Sequence, residues 1–295
     1  MRSADTDEFF LDPRAVRRSF DAASGTYDAA AAVHAEIRAR LLERLDIVRL
    51  QPAVVLDLGA GTGHAARALR QRYPDAQVIA LDLSESMLRQ AARQQRLFRR
   101  FQRLVGDAHR LPLKDASVDL VFSNLMLEWC ADPDAAFSEM RRVLRPQGLL
   151  SFTTLGPDTL KELREAWRRI DGRVHVHRFI DMHDLGDALL RARFAEPVMD
   201  VERLTVTYSS VQTLFRELKA SGSRNIAQGR SHGLTGRKRW RALEHYGESS
   251  LREGALPISV EVVYGQAWAG ELRPIRPAAG EVRVPITDLK RRPTL

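Results

Sequence analysis

A glycine-rich segment that follows a short apolar run constrains this chain more than any other feature. The run at 54–58 is apolar and contains β-branched residues, which is typical of a buried strand. Gly59, Gly61 and Gly63 come directly after it, and a helical pattern begins at His64. Glycine adopts positive φ angles and lets the backbone come close to a ligand. The segment therefore predicts a strand, a ligand-binding turn and a helix, in that order.

The following residues continue this alternation of strand and helix patterns, which predicts a parallel sheet with right-handed crossovers. The predicted strands are at 54–58, 77–81, 103–106, 118–123 and 149–154, and the predicted helices are at 64–73, 84–100, 133–144 and 157–170. A helix predicted at 13–45 precedes the sheet; Asp12 is suited to cap it and Gly25 to interrupt it.

The pattern changes in the last third of the chain. After a short helix at 188–194, the segments 198–208 and 258–269 alternate with a period near two, which predicts two long strands. The residues between them are too many for a hairpin loop and mostly helical in pattern, so 209–257 is predicted to be an inserted helical cap. The tail at 271–295 contains four prolines and is expected to be irregular.

The positive charge of the chain is concentrated in two places. The net charge is +8, from 46 Lys and Arg against 38 Asp and Glu. Residues 216–245 contain eight basic and two acidic residues, and residues 89–103 contain six arginines and no acid. Such stretches are either solvated helix faces or surfaces for an anionic partner. Few aromatic residues accompany them and no nucleic-acid motif is visible, so nucleic acid is disfavoured as the partner.

The sequence lacks features that several classes of protein require. Cys130 is the single cysteine, which excludes an intrachain disulfide framework and a cysteine-rich zinc site, and no metal is expected. No apolar run reaches 18 residues, so no transmembrane helix is predicted. The N-terminus is acidic and lacks the apolar region of a secretory signal, which favours a cytoplasmic location.

Three aspartates suggest what the glycine turn binds. Asp57 lies two residues before Gly59, and Asp82 and Asp107 end the next two predicted strands. The dinucleotide pattern Gly-x-Gly-x-x-Gly fails because His64 occupies its last position. A carboxylate beside the turn would repel a pyrophosphate but suits a cation such as S-adenosylmethionine. A dinucleotide site and a tight turn with a capping aspartate are the alternatives.

Residues 50–155 resemble the class I adenosylmethionine-dependent methyltransferases. The motifs that carry the resemblance are at 56–63, 80–84 with Met87, 106–108 and 143–148. It implies an α/β, Rossmann-like fold with a mostly parallel seven-stranded sheet, an antiparallel last strand and a helical insert between the last two strands. It also implies roles for individual residues. These are Asp57, Gly59, Gly61 and Gly63 at the methionine part, Asp82 at the ribose, Asp107 and Ala108 at the adenine, and Asn124 and Leu125 near methyl transfer.

A narrower resemblance extends from residue 16 to about 270. The segments 16–28, 122–132 and 152–163 are similar to the malonyl-acyl-carrier-protein O-methyltransferases of biotin synthesis, although Glu128 stands where that family often has Gln, and Ala60 where Cys is common. The family's reaction methylates the free carboxylate of a malonyl thioester. A carboxylate with a pKa of about 4 is already ionised at neutral pH, so no general base is required.

The resemblance leaves the residues that position this carboxylate open. Arg17, Arg18 and Arg178 are candidates because a guanidinium binds a carboxylate through two hydrogen bonds. Asn124 is a further candidate. Tyr27 either closes over the cofactor or packs in the core. Trp129 is expected in the core, and His175 and His177 are expected to form a surface pair.

The acyl carrier protein is acidic by its family character, so the resemblance implies docking on the basic insert, at Arg237, Lys238 and Arg239. Binding of malonyl-coenzyme A instead and the oligomeric state stay open. We expect an N-terminal helical segment at 1–49 covering the cofactor, a catalytic domain at 50–270 and a tail at 271–295.

Segments 184–192 and 214–225 also resemble a respiratory-complex-I assembly factor that hydroxylates protein arginine, which is the alternative function. A non-catalytic scaffold is a third possibility, disfavoured by the complete glycine turn.

Overall fold

The computed structural model describes residues 11–95, 100–227, 230, 233 and 235–270. The predicted tail at 271–295 and two arginines of the 89–103 stretch, Arg96 and Arg99, lie outside these ranges. Three helices precede the sheet: α1 (Pro13–Ala23), α2 (Tyr27–Ala30) and α3 (Ala32–Glu43). Asp12 caps α1 as predicted, because its side chain accepts a hydrogen bond from the Arg14 N–H at 2.9 Å.

Within the described residues, seven strands and seven further α-helices follow. They are β1 (Val54–Leu58), α4 (His64–Arg72), β2 (Gln77–Asp82), α5 (Glu85–Arg93), β3 (Gln102–Val105), β4 (Val118–Asn124), α6 (Pro133–Val143), β5 (Leu144–Leu155), α7 (Lys161–Ile170), α8 (Met182–Arg191), β6 (Ala195–Tyr208), α9 (Val211–Ala220), α10 (Arg237–Ser249) and β7 (Leu256–Trp268). A short 3-10 helix at Leu127–Trp129 lies between β4 and α6.

The strands form one sheet in the order β3-β2-β1-β4-β5-β7-β6. The first five strands are parallel to their neighbours, and β7 is antiparallel to both β5 and β6. The predicted seven-stranded sheet with an antiparallel last strand is therefore confirmed. The helices α9 and α10 lie between β6 and β7 along the chain, which also confirms the predicted insert.

Four predicted boundaries are wrong by several residues. The helix expected from 157 begins at Lys161, after a turn that ends at Leu160 with a φ of +57°, and the helix expected at 188–194 is Met182–Arg191, capped by the Asp181 side chain. The strand expected at 149–154 begins at Leu144, because Leu144 pairs with Val118 of β4. The residues expected to form a turn before it are an irregular part of the strand, in which Gln147 has a φ of +64°. The helix expected to run to residue 100 ends at Arg93. The next residue, Gln94, closes it by donating its N–H to two carbonyls of the last turn.

The sheet is packed on both faces. Leu56 of β1 lies in a cluster with Phe137 of α6 and Leu189 of α8, whereas its neighbour Val55 lies in the opposite cluster with Leu41 of α3. Successive side chains of a strand point to opposite faces, so β1 is buried on both sides. None of the helices in the described ranges is long and apolar enough to span a membrane.

The insert packs against α7 and is hydrogen-bonded to the N-terminal helices. Trp167 of α7 lies in a cluster with residues of α9 and α10. The Ser19 hydroxyl donates to the carbonyl of Gly222 at 2.8 Å, and the Thr26 hydroxyl donates to the carbonyl of Ala220 at 2.9 Å. The N-terminal helices and the insert thus form one roof over the carboxyl ends of the parallel strands.

Candidate active site

Two neighbouring cavities lie under this roof. The first, which we call the strand-end cavity, is at the carboxyl ends of β1 to β4, where parallel α/β sheets bind ligands. Its wall includes most of the residues that the sequence predicts: Tyr27, Gly59, Gly61, Asp82, Met87, Asp107, Ala108, Asn124 and Leu125. Asp57 and Gly63 are the predicted residues of the cofactor set that do not line it.

The glycine turn lies close to the rest of the protein. Gly59 has a φ of +75°, and a Cβ atom there would lie 2.4 Å from Cγ of Met126. Its N–H donates to the carbonyl of Leu81 at 2.8 Å, which holds the turn against β2. Gly63 has a φ of +80° and begins α4, where a Cβ would lie 2.9 Å from that of Ala91. Glycine is thus required at both positions, at Gly59 for the cavity wall and at Gly63 for helix packing.

Asp82 fixes the turn and also faces the cavity. One carboxylate oxygen accepts the N–H of Gly61 and the other that of Ser84, both at 2.8 Å. Burial raises the pKa of Asp82 to about 6. A carboxylate can accept about four hydrogen bonds, so both oxygens keep the capacity to accept ligand hydroxyls. This geometry suits the ribose role that the sequence predicts.

Asp57 lies behind the turn rather than in the cavity wall. It is 1% exposed, and its Oδ2 is buried without a hydrogen-bond partner. Burial, reinforced by the nearby Asp82 and opposed by a hydrogen bond from the Ala66 backbone and by Arg38, raises the pKa of Asp57 to about 7. Within the described residues neither carboxylate has a salt bridge. Two acidic groups without a paired cation favour a positively charged ligand in this cavity.

The far end of the cavity is formed by the turn after β3. Asp107 accepts two hydrogen bonds on one oxygen, from the backbone N–H of His109 at 2.9 Å and from its ring Nδ1 at 2.7 Å. Ala108 and Met87 complete this end and are both buried. The arrangement leaves the second oxygen of Asp107 available to a ligand, as the predicted adenine role requires.

The N-terminal helices cover the strand-end cavity, and two carboxylates hold them there. Asp21 accepts the hydroxyl of Ser84 at 2.6 Å. Asp28 accepts the hydroxyl of Thr62, in the glycine turn, and the side-chain amide of Gln94, both at 2.5 Å. Neither Asp21 nor Asp28 has a role predicted from the sequence. The signal was their position next to Tyr27 in the 16–28 motif, but their partners are distant in the chain.

Tyr27 belongs to these covering helices, and its side chain lines the strand-end cavity. This position agrees with the prediction that Tyr27 closes over the cofactor. Burial raises the pKa of Tyr27, and its ring packs edge-on against His34 at 5.7 Å between centroids. The phenol therefore stays protonated at neutral pH and is able to donate a hydrogen bond.

The second cavity, which we call the insert cavity, has a volume of about 780 Å³ and lies between the insert, α7 and the segment at 171–179. Leu125 and Trp129 line both cavities, so the two meet at these side chains. Leu125 has a φ of +52°, and its N–H is held by Thr153 at the end of the neighbouring strand. Trp129, expected in the core, packs at 5.2 Å against Phe20 but also forms this boundary.

The histidines are placed differently from the prediction of a surface pair, which is wrong. His177 is 6% exposed, and His175 stacks on Trp167 with 3.6 Å between ring centroids. Both line the insert cavity. Burial lowers the pKa of His177 to about 4, and its Nε2 is buried without a hydrogen-bond partner. The alternating His-x-His pattern is typical of an exposed strand, but the rings of Trp129 and Phe179 cover His177, and the ring of Trp167 covers His175.

The arginine candidates for the substrate carboxylate do not line either cavity. Arg17 forms a salt bridge with Asp21 at 3.5 Å, and Arg18 forms one with Asp12 at 3.8 Å. Arg178 lines a third cavity, which shares wall residues with the insert cavity.

The predicted docking residues lie at the start of α10. Arg237 and Lys238 are exposed, and Arg239 lines the insert cavity and pairs with Asp171 at 3.6 Å. A basic surface is thus continuous with the wall of the insert cavity. Within the described residues, no group of three or more His, Cys, Asp or Glu side chains could hold a metal ion.

Comparison with known proteins agrees with this arrangement. Residues 56–152 match the family model of a methyltransferase domain. In fold, the chain is similar to the YcgJ protein of Bacillus subtilis, with a TM-score of 0.57 at 17% identity over 79% of this chain and 99% of that one.

Two relatives are much more similar in sequence. The malonyl-[acyl-carrier protein] O-methyltransferase of Methylovorus is 53% identical over 90% of this chain and 92% of its own length. The protein of the same name from Laribacter hongkongensis is 51% identical over 92% of this chain and 94% of its own. With a glycine turn, an acidic strand-end cavity and this degree of identity, the chain belongs to the malonyl-[acyl-carrier protein] O-methyltransferase family.

Proposed function

We propose that this protein transfers a methyl group from S-adenosylmethionine to the free carboxylate of a malonyl group carried by acyl carrier protein, as a step of biotin synthesis. The observation that carries the proposal is the boundary at Leu125 and Trp129, where a cavity suited to a cationic cofactor opens into a larger one. A methyl donor in the first cavity and an acyl chain in the second would meet there.

The residues of the strand-end cavity fit the cofactor. Asp82 is placed to accept hydrogen bonds from ribose hydroxyls, and Asp107 lies at the end expected for the adenine. Burial raises the pKa values of Asp57 and Asp82, and a sulfonium or an ammonium group bound nearby would favour their ionised forms. When bound, S-adenosylmethionine supplies a methyl group whose bond to sulphur breaks with its electron pair going to sulphur, as a carboxylate lone pair bonds to the carbon.

The protein's own contribution is to bring the two reactants into line and keep water out. Positioning of this kind is worth up to about 7–11 kcal/mol in favourable cases. Asn124 is fixed by the hydroxyl of Thr153 at 3.0 Å and by the carbonyl of His34 at 3.3 Å. Tyr27, a protonated phenol, lines the same cavity. We assign these two residues to positioning of the methyl-transfer region.

Carrier recognition belongs to the exposed face of α10. Arg237 and Lys238 project to solvent at the start of this helix, and Arg239 connects them to the insert cavity. An acidic carrier docked on these side chains would place its acyl group at the cavity. Arg178, in the third cavity, is better placed for the arm of the thioester than for the reacting carboxylate.

The test is methyl transfer from labelled S-adenosylmethionine to malonyl-carrier, with acetyl-carrier as the matched control because it lacks a free carboxylate. We expect labelled methyl ester from the malonyl substrate alone. Cofactor binding without ester formation would contradict the proposal, and oxidation of a protein arginine under the same conditions would support the alternative function instead. Malonyl-coenzyme A in parallel reports whether the carrier itself is recognised.

A further inference from the structure

A glutamate at the boundary of the two cavities has no cationic partner. Glu128 belongs to the short 3-10 helix Leu127–Trp129 and lines the insert cavity. Its neighbours Leu125 and Trp129 line both cavities, so the Glu128 side chain lies beside the place where cofactor and substrate would meet. Its carboxylate forms no salt bridge within the described ranges.

The polar environment of Glu128 contains neutral groups. Its Oε2 accepts a hydrogen bond from the hydroxyl of Thr154 on β5 at 3.1 Å. The charged groups of the insert cavity wall are Asp171, Arg173, Glu217, Lys219, Arg224, Arg230 and Arg239. Four other titratable groups interact with Glu128 or line the same cavity, and burial keeps each of them uncharged at neutral pH. They are Tyr27 of α2 and Cys130, whose pKa values are raised, and His34 of α3 and His177 of the 171–179 segment, whose pKa values are lowered to about 4.

This environment disfavours an ionised side chain. Burial raises the pKa of Glu128 to about 8, and the hydrogen bond from Thr154 offsets only part of that effect. The carboxyl group is therefore mainly protonated at neutral pH. A protonated carboxyl has an O–H that it can donate, whereas a carboxylate only accepts. An ionised glutamate at this place would repel a substrate carboxylate, and a neutral one can bind it.

We propose that Glu128, uncharged, donates a hydrogen bond from its carboxyl O–H to one oxygen of the substrate carboxylate and so leaves the other oxygen to receive the methyl group. The inference rests on the proposed function, since it names the group that recognises the acid end of the malonyl chain. No proton changes place in the transfer, and Glu128 keeps its proton throughout. A hydrogen bond from a neutral donor holds the carboxylate without the charge neutralisation by which a guanidinium would weaken its lone pair.

The first test compares Glu128→Gln with Glu128→Ala. Glutamine offers an N–H of similar reach, so we expect kcat/KM at pH 7 to fall only severalfold. Alanine has no donor, so we expect a loss of about 10- to 100-fold in kcat/KM, which is the range for a hydrogen bond to a charged group. Cofactor affinity, measured by calorimetry without carrier, should be the same in both variants and thereby shows that they are folded.

The second test uses pH. In the wild type, kcat/KM and the affinity for malonyl thioester, measured with S-adenosylhomocysteine so that no turnover occurs, should both fall above pH 8 as Glu128 ionises. Glu128→Gln should lose this decline. Glu43→Gln, which changes an exposed glutamate of α3, should keep it.

Two results would overturn the inference. One is a glutamine variant as impaired as the alanine variant, which would mean that the negative charge is required. The other is an alkaline decline that is identical in the wild type and Glu128→Gln. Failure of the proposed function itself looks different, because the wild type would then form no methyl ester at any pH.

Discussion

The two cavities under the roof are built in opposite ways. The strand-end cavity is made of backbone turns at the ends of β1 to β4, and its charged groups are aspartates. The insert cavity is made of side chains from α7, α9, α10 and the 171–179 segment, and its charged groups are mostly basic. Under the proposed function, cofactor and substrate are recognised by separate structures, and among the described residues Leu125 and Trp129 are the side chains that line both cavities.

Substitution of Asp82 should have the largest effect, and it should impair the strand-end cavity while the insert cavity keeps its function. Asp82→Ala removes a carboxylate that holds two backbone N–H groups and faces the ligand. Loss of charge-assisted hydrogen bonds predicts cofactor affinity lower by on the order of 100-fold. Calorimetry with S-adenosylmethionine measures it, and Asp75→Ala, at an exposed aspartate before β2, is the control. Carrier affinity without cofactor should change less than twofold, and a parallel loss would show that the cavities are not separate.

Charge reversal on α10 should affect the insert cavity and leave the strand-end cavity unchanged. Arg237→Glu with Lys238→Glu is expected to weaken carrier binding roughly tenfold at low salt, because the lost attraction becomes repulsion. The effect should shrink in high salt, where surface charges are screened. Adding Arg239→Glu, which also opens its contact with Asp171, should weaken binding further. The matched control is Arg89→Glu with Arg93→Glu, the same charge change on the other basic stretch; equal weakening there would contradict α10 as the docking face.

The cover over the strand-end cavity should contribute less than the cavity wall. Asp28→Ala removes the hydrogen bonds to Thr62 and Gln94 that hold α2 down. We expect the cofactor to dissociate about fivefold to tenfold faster, in line with one or two exposed hydrogen bonds. Stopped-flow displacement measures the rate, with Glu43→Ala as the control. An unchanged rate would show that α2 is held by packing alone.

Proton release on cofactor binding is the smallest expected effect. It tests whether the strand-end cavity is acidic, in contrast to the mostly basic insert cavity. Burial raises the pKa of Asp57 to about 7 and that of Asp82 to about 6, so both are partly protonated near pH 6.5. A cation beside them lowers both pKa values. Affinity should therefore rise with pH between 5 and 7, by less than tenfold per unit.

The measurement of this linkage is calorimetry in two buffers that differ in ionisation enthalpy. S-adenosylhomocysteine, which lacks the sulfonium charge, should release fewer protons than S-adenosylmethionine. Asp57→Asn should reduce the release for both. Uptake of protons on binding would contradict the assignment of these carboxylates to the cationic site.

The strand-end cavity could be predicted from the sequence because its determinants are local. The run at 54–58, the glycines after it and the aspartates that end the next strands are each set by neighbours in the chain. Parallel strands then bring their carboxyl ends together without further information. Asp57 is the exception, since no local pattern shows that its side chain turns behind Gly59 instead of into the cavity.

The insert cavity could not be predicted in the same way. Glu128 looks like a polar residue after a strand, and the cavity that it lines is enclosed in part by the insert, about a hundred residues later in the chain. His177 lies in a polar-looking segment and is buried by Trp129 and Phe179. The bonds of Asp28 to Thr62 and Gln94 likewise depend on tertiary packing. Arg17, Arg18 and Arg178 are candidates for binding the substrate carboxylate by residue type alone. Residue type does not show which cavity a side chain reaches.

The hydrogen bonds from Ser19 to Gly222 and from Thr26 to Ala220 join the cover of one cavity to the insert that encloses the other. The two proposed ligand sites therefore share one structural element, and a ligand that orders this element would leave less of it for the second ligand to order. Such coupling is reciprocal, so the factor by which bound cofactor tightens carrier binding equals the factor by which bound carrier tightens cofactor binding. A demethylated cofactor that ordered this element less would therefore also bind the carrier complex less tightly, which would favour departure of both products.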